Sequence, residues 1–206
     1  MNLKNDLNLA FKPKMLSSVM EIDIAKAIKF MSIYTLIWLV IHIIFALING
    51  LIDGKALGGV FLFSTLTGLS SAILIVLGLF IVGLVAGYCS KWFKGMNDIT
   101  KTIGLVAYGV LPIVIIAVVR DLLLFISTIG GHFLATGFFW VNIILFIITF
   151  IWLALLATEA IGLADTLKKG SAFVCFILGF IVAALINWPI NWVLVKIVTA
   201  ILAGVI

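Results

Sequence analysis

Residues 90–119 read SKWFKGMNDITKTIGLVAYGVLPIVIIAVV, a basic, polar connector that runs unbroken into an apolar span. Within it Gly104, Tyr108 and Pro112 recur at every fourth position and so share one face of a helix. Helical side chains lean toward the N-terminus, which lays the Tyr108 ring over Gly104, where no side chain obstructs it. Pro112 has no backbone N–H, so the Tyr108 carbonyl loses its helical partner and the span is expected to kink there. Lipid offers that carbonyl nothing, so neighbouring helices must shield or satisfy it. The stretch is therefore expected in the middle of a bundle.

The remainder of the chain supplies such a bundle. Hydrophobic residues make up 65% of it and charged residues 10%, where soluble domains are about a quarter charged. Several charge-free runs exceed the roughly 18 residues that mark a membrane-helix candidate. The fold class expected is an all-α membrane protein, a bundle of five transmembrane helices preceded by an N-terminal amphipathic interfacial helix. No stretch outside the apolar runs is long enough to bury a soluble core. The excess of 13 Lys and Arg over 8 Asp and Glu fits loops facing an anionic leaflet and excludes nucleic acid as the expected partner. Cys89 and Cys175 form no CxxC pair and are expected to pack as small hydrophobes.

Three regions follow in order. Residues 1–29 mix Lys, Asp and Asn with apolar residues, and Leu16, Met20, Ile24, Ala27 and Met31 fall on one side of a helix. A surface-lying amphipathic helix is expected there, with a disordered tail as the alternative; no cleavable signal peptide is read. Residues 30–190 hold the five spans, the first over 30–48 with His42 as its titratable group. Residues 191–206 form an apolar tail containing Lys196, open between a surface-lying segment and a partial sixth span.

Two apolar runs, 56–90 and 122–158, are each too long for one span: as single helices they would reach roughly 50 Å, against a hydrocarbon core of about 30 Å. Each is expected to hold an interfacial or re-entrant piece and then a span, at 70–88 and 140–158. The preceding pieces, Leu57 to Leu62 (LGGVFL) and Ile129 to Leu134 (IGGHFL), are alike enough to raise a duplicated hairpin. Gly83-x-x-x-Gly87 near the end of the second span is a helix-packing motif. The fifth span is placed at 172–190.

Counting Lys and Arg between spans gives ten on the side of the N-terminus and three on the other. That bias puts the N-terminus in the cytoplasm. Trp92 then marks the inner interface, with Trp140 and Trp188 at the outer one.

Catalytic signatures are missing from the sequence: no Gly-x-Ser-x-Gly elbow, no His-Glu-x-x-His pair, no phosphate-cradling Gly-rich loop. No catalytic, metal-binding or cofactor-binding residue is nominated, and no cofactor is expected. Arg120 and Asp121 are expected in solvent at the outer end of span three. Glu159 and Asp165, with Lys168 and Lys169, are read as a solvated cytoplasmic loop, which leaves the span interiors without a carboxylate.

This order of features resembles the Yip family of membrane proteins, named for interaction with Ypt/Rab GTPases. The family carries a Gly-Tyr-x-x-Leu-Pro-like signature in its third span, matched here by Ala107-Tyr108-Gly109-Val110-Leu111-Pro112 after the connector Phe93-Lys94-Gly95. The fourth span and its exit, residues 151–155 and 161–165, also look like prokaryotic members, and the likeness covers about residues 10–190. Ala107 replaces the first Gly of the signature, and the Asp-Leu-Tyr-Gly-Pro motif of eukaryotic members is absent. The resemblance implies a prokaryotic-type, multi-pass protein of the cell membrane with Gly104, Ala107, Tyr108, Leu111 and Pro112 as structural-motif residues. The function expected is a non-enzymatic scaffold or adaptor meeting the bilayer, other membrane or cytoplasmic proteins, or further copies of itself. The alternative is a small transporter or channel-forming subunit.

Overall fold

The computed structural model describes residues 24–130 and 135–203. The amphipathic segment expected before Ile24, and residues 131–134 of the second Gly-Gly piece with His132 among them, lie outside the described residues. Among the described residues six α-helices follow one another: α1 (Ile24–Ile52), α2 (Leu57–Ser90), α3 (Ile99–Val106), α4 (Val110–Gly130), α5 (Ala135–Asp165) and α6 (Lys169–Ala203). A 3₁₀ turn over Lys91–Phe93 closes α2, and another over Ala107–Gly109 joins α3 to α4. With α3 and α4 taken as one span, five helices are long and apolar enough to cross a membrane. No strand occurs among the described residues.

The third span is the most enclosed. Its most apolar window is 67% buried, against 22% in each of the other four. Packing in lipid comes from close contact, since lipid tails are as apolar as leucine, and small residues allow that contact here. A methyl group at Gly83 would lie 2.8 Å from Ile103 Cα, and one at Gly87 would lie 3.0 Å from Ile99 Cα. The GxxxG edge of α2 thus touches the backbone of α3 directly. On the neighbouring face α2 packs along α6, where a methyl group at Gly179 would stand 2.8 Å from the Val82 carbonyl oxygen. Away from these contacts, Leu36, Phe63, Ile73, Phe146, Leu155 and Leu185 are exposed; such a belt requires an apolar surrounding.

Two expectations about the long runs are overturned. Residues Leu57–Ser90 form one helix, so the Gly58–Gly59 stretch is its first turn and not a re-entrant piece. Nothing stands within 4 Å of a methyl group placed on either glycine. The helix continues at little polar cost because Ser64, Thr67, Ser70 and Ser71 each donate to the carbonyl one turn back. Its excess over the bilayer is taken up by tilt or by protrusion. Residues 122–130 likewise belong to α4, and α5 starts at Ala135. At the other end, α6 passes through Pro189 and runs on to Ala203, so residues 191–203 prolong the fifth span and form neither a separate tail nor a sixth one.

The helix of the third span breaks just before Pro112 and not at it. The break is a 3₁₀ turn over Ala107–Gly109, and it puts Pro112 in the first turn of α4, where a helix does not use its N–H. Leu111 and Pro112 are fully buried, and Gly104, Ala107 and Tyr108 around the turn are buried with them. The Tyr108 ring packs on Phe30 of α1, with centroids 4.5 Å apart.

Candidate functional site

Two carboxylates lie inside the bundle, and both contradict the solvated positions expected of them. Asp121 is 3% exposed and Asp165 is fully buried. A buried carboxylate is costly unless donors surround it, and each of these has gathered donors from other helices.

Asp121 belongs to α4 and faces α1. Trp38 Nε1 donates to its Oδ2 at 3.1 Å, and His42 Nδ1 lies 3.1 Å from the same oxygen. Trp38 and His42 are one helical turn apart, so both reach a single acceptor on the adjacent span. The Arg120 guanidinium approaches the other oxygen, with Nη2 at 3.4 Å from Oδ1. Aromatic contacts continue the α1–α4 seam beyond the cluster, where Phe45 and Phe125 pack with centroids 5.7 Å apart. The cluster separates two cavities. One of about 360 Å³ is lined by Trp38, Ser71, Arg120, Asn142 and Thr149 among apolar side chains. A smaller one of about 90 Å³ is bounded by His42, Asn49 and Asp121.

Asp165 is the last residue of α5 and faces the start of α3. Its Oδ1 accepts the Asp98 backbone N–H at 2.9 Å, and its Oδ2 accepts the Thr102 hydroxyl at 2.9 Å. Its backbone carbonyl accepts the Met96 N–H at 3.1 Å. Asp98 in turn caps α3 by accepting the Lys101 N–H at 3.0 Å. The charge therefore sits at a helix N-terminus, the end whose dipole favours an anion. The connector reaches this clasp through two left-handed residues, Lys94 and Asn97. Gly95 passes so close to Asp165 and Ser90 that an added methyl group would lie 3.1 Å from the carbonyl of one and the Cβ of the other. Glu159, also expected in a solvated loop, lies within α5 with its side chain 21% exposed and pairs at 3.1 Å with the exposed Lys169.

The motif residues Gly104, Ala107, Tyr108, Leu111 and Pro112 stand between these centres, and Gly83 and Gly87 pack behind them on α2. Cys89 and Cys175 are buried free thiols. No group of His, Cys, Asp and Glu suited to a metal ion is found among the described residues. Compared with known proteins, the chain matches no protein-family model, no curated protein and no solved structure.

Proposed function

We propose that this protein is a non-enzymatic scaffold or adaptor of the Yip type in the cell membrane, with its N-terminus in the cytoplasm. One observation carries the reading: the oxygens of both buried carboxylates are taken up by donors of the bundle itself, so Asp121 and Asp165 fasten helices together. Three details support it further. The Ala107–Pro112 signature coincides with the 3₁₀ break of the most buried span. Exposed Lys91 and Lys94 flank the clasp at Asp165, on the side that carries the basic excess. Trp140 and Trp188, expected at the opposite interface, are exposed.

The scaffold presents the clasped connector as a fixed, basic surface to partners at the membrane. Affinity capture from native membranes in mild detergent tests it, comparing the parent with a Lys91→Glu/Lys94→Glu/Lys101→Glu variant. A reproducible set of proteins retained by the parent and lost by the variant is expected. Equal capture by both removes the basic connector from the reading.

A transporter or channel subunit is the second reading, favoured by the cavities on either side of the Arg120–Asp121 pair. Solute or ion flux in proteoliposomes that Asp121→Asn abolishes without unfolding the protein would replace the scaffold with this one.

A further inference from the structure

Arg120 is the unbalanced member of its cluster. Asp121 has Trp38 and His42 on Oδ2, while its contact with Arg120 is a single long one, 3.4 Å, between adjacent residues. A guanidinium has five N–H donors and no way to lose its charge. Here Nε is buried without a hydrogen-bond partner, and 43% of the side chain remains open. A guanidinium left beside apolar side chains calls for an acceptor.

The opening is the cavity of about 360 Å³ between α1, α2, α4 and α5. Its wall is amphipathic: Arg120 and Asn142 with Ser71 and Thr149, then Ile113, Ile116, Leu145 and Phe146. Ser71 and Thr149 donate to carbonyls of their own helices, so recognition of an anion falls to the arginine. Phe146 is 67% exposed, so the cavity opens sideways where lipid would stand. Arg120 lies roughly 30 Å along the span from Ile99 at the helical rise, about one hydrocarbon thickness. Taken from the clasp as one membrane face, that distance reaches into the opposite leaflet, and exposed Trp140 lies close by in sequence to Asn142.

We propose that this cavity binds the phosphodiester headgroup of an anionic membrane lipid. Arg120 donates two N–H groups to the phosphate oxygens, and an acyl chain lies along Ile116, Leu145 and Phe146. The site goes beyond the scaffold reading and does not depend on it.

Thermal stability of the full-length protein in a zwitterionic detergent is measured during titration with phosphatidylglycerol, phosphatidylcholine or inorganic phosphate. Four proteins are compared: parent, Arg120→Gln, Ala117→Phe and Lys55→Gln. The parent and Lys55→Gln, which loses an equal charge outside the cavity, are expected to show saturable stabilisation by phosphatidylglycerol. Arg120→Gln is expected to bind about tenfold more weakly. Ala117→Phe fills the cavity while keeping the arginine, so it should lose the response too and provides the comparison if Arg120→Gln does not fold. Equal responses to phosphatidylcholine, or undiminished stabilisation of both cavity variants, overturn the proposal. Stabilisation by inorganic phosphate alone at matched concentration would make this a small-anion site and overturn the lipid assignment.

Discussion

The Thr102 hydroxyl donates to Asp165 Oδ2 at 2.9 Å, joining the start of the third span to the end of the fourth across 63 residues of sequence. Together with the Asp98 N–H on Oδ1, this bond ties a buried carboxylate to the N-cap residue of a helix to which it does not belong. The connector between spans two and three is shaped by that clasp.

Removing the acceptor should therefore cost more than removing one donor. Thr102→Val leaves one carboxylate oxygen short of a bond and is expected to destabilise by about 1–3 kcal/mol. Asp165→Ala removes both carboxylate oxygens and strands the Asp98 N–H, although the Thr102 hydroxyl keeps the Asp98 carbonyl at 2.8 Å as an acceptor, and it should be the worse of the two. Cys89 and Cys175 are buried, so a thiol-reactive fluorogenic dye in a detergent melt reports the loss directly. Equal melting temperatures for Asp165→Ala and the parent would mean that the clasp contributes nothing to stability.

The glycines of α2 predict opposite signs for one substitution. Gly58→Ala meets open space and exchanges the poorest ordinary helix former for the best, a gain of up to about 1 kcal/mol. Gly83→Ala puts a methyl group 2.8 Å from Ile103 Cα, where only movement of a whole helix relieves it, at a typical cost of about 1–3 kcal/mol. The same melts decide between them. Matching shifts at both positions would show that α2 and α3 are not in backbone contact.

At the other centre, the donors and acceptor are coupled. Asp121→Leu leaves Trp38 Nε1 and the His42 ring without their acceptor, and Arg120 without its neighbour. A buried charge whose partner is deleted costs more than an apolar replacement of both. The double variant Asp121→Leu/His42→Leu is thus expected to be more stable than the sum of its single changes predicts. Strict additivity would mean that the 3.1 Å contact carries no coupling.

Much of this fold is legible in the residue pattern, because apolar length and the spacing of Gly104, Tyr108 and Pro112 are local properties. The features that escape it are non-local. A run of 35 uncharged residues looks too long for one helix, yet tilt and protrusion are not written in the run itself. Asp121 stands beside Arg120 in sequence, which reads as a solvated pair; its burial is decided by Trp38 and His42, some 80 residues away. A signal exists there, since two donors at i and i+4 in an apolar span require an acceptor on a neighbour. Asp165 carries no comparable signal, because most of its partners are backbone and hydroxyl groups that any loop contains.

Pro112→Ala joins the local feature to the distant one. Alanine restores an N–H opposite the Tyr108 carbonyl, so the 3₁₀ turn over Ala107–Gly109 can relax into continuous α-helix. Tightening or loosening that turn rotates everything beyond it, including Asp121 and Phe125, relative to α1. Detergent stability should change little, since the helix gains a hydrogen bond while the seam loses register. Cysteines introduced at Phe45 and Phe125, whose rings lie 5.7 Å apart, report the register once Cys89 and Cys175 have been replaced by Ser. A short bifunctional thiol reagent is expected to cross-link this pair efficiently when Pro112 is present, and several-fold less in the Pro112→Ala variant. Unchanged cross-linking would mean that the 3₁₀ turn is held by its packing against Phe30 and Leu153, and that the proline merely accommodates a break the bundle imposes.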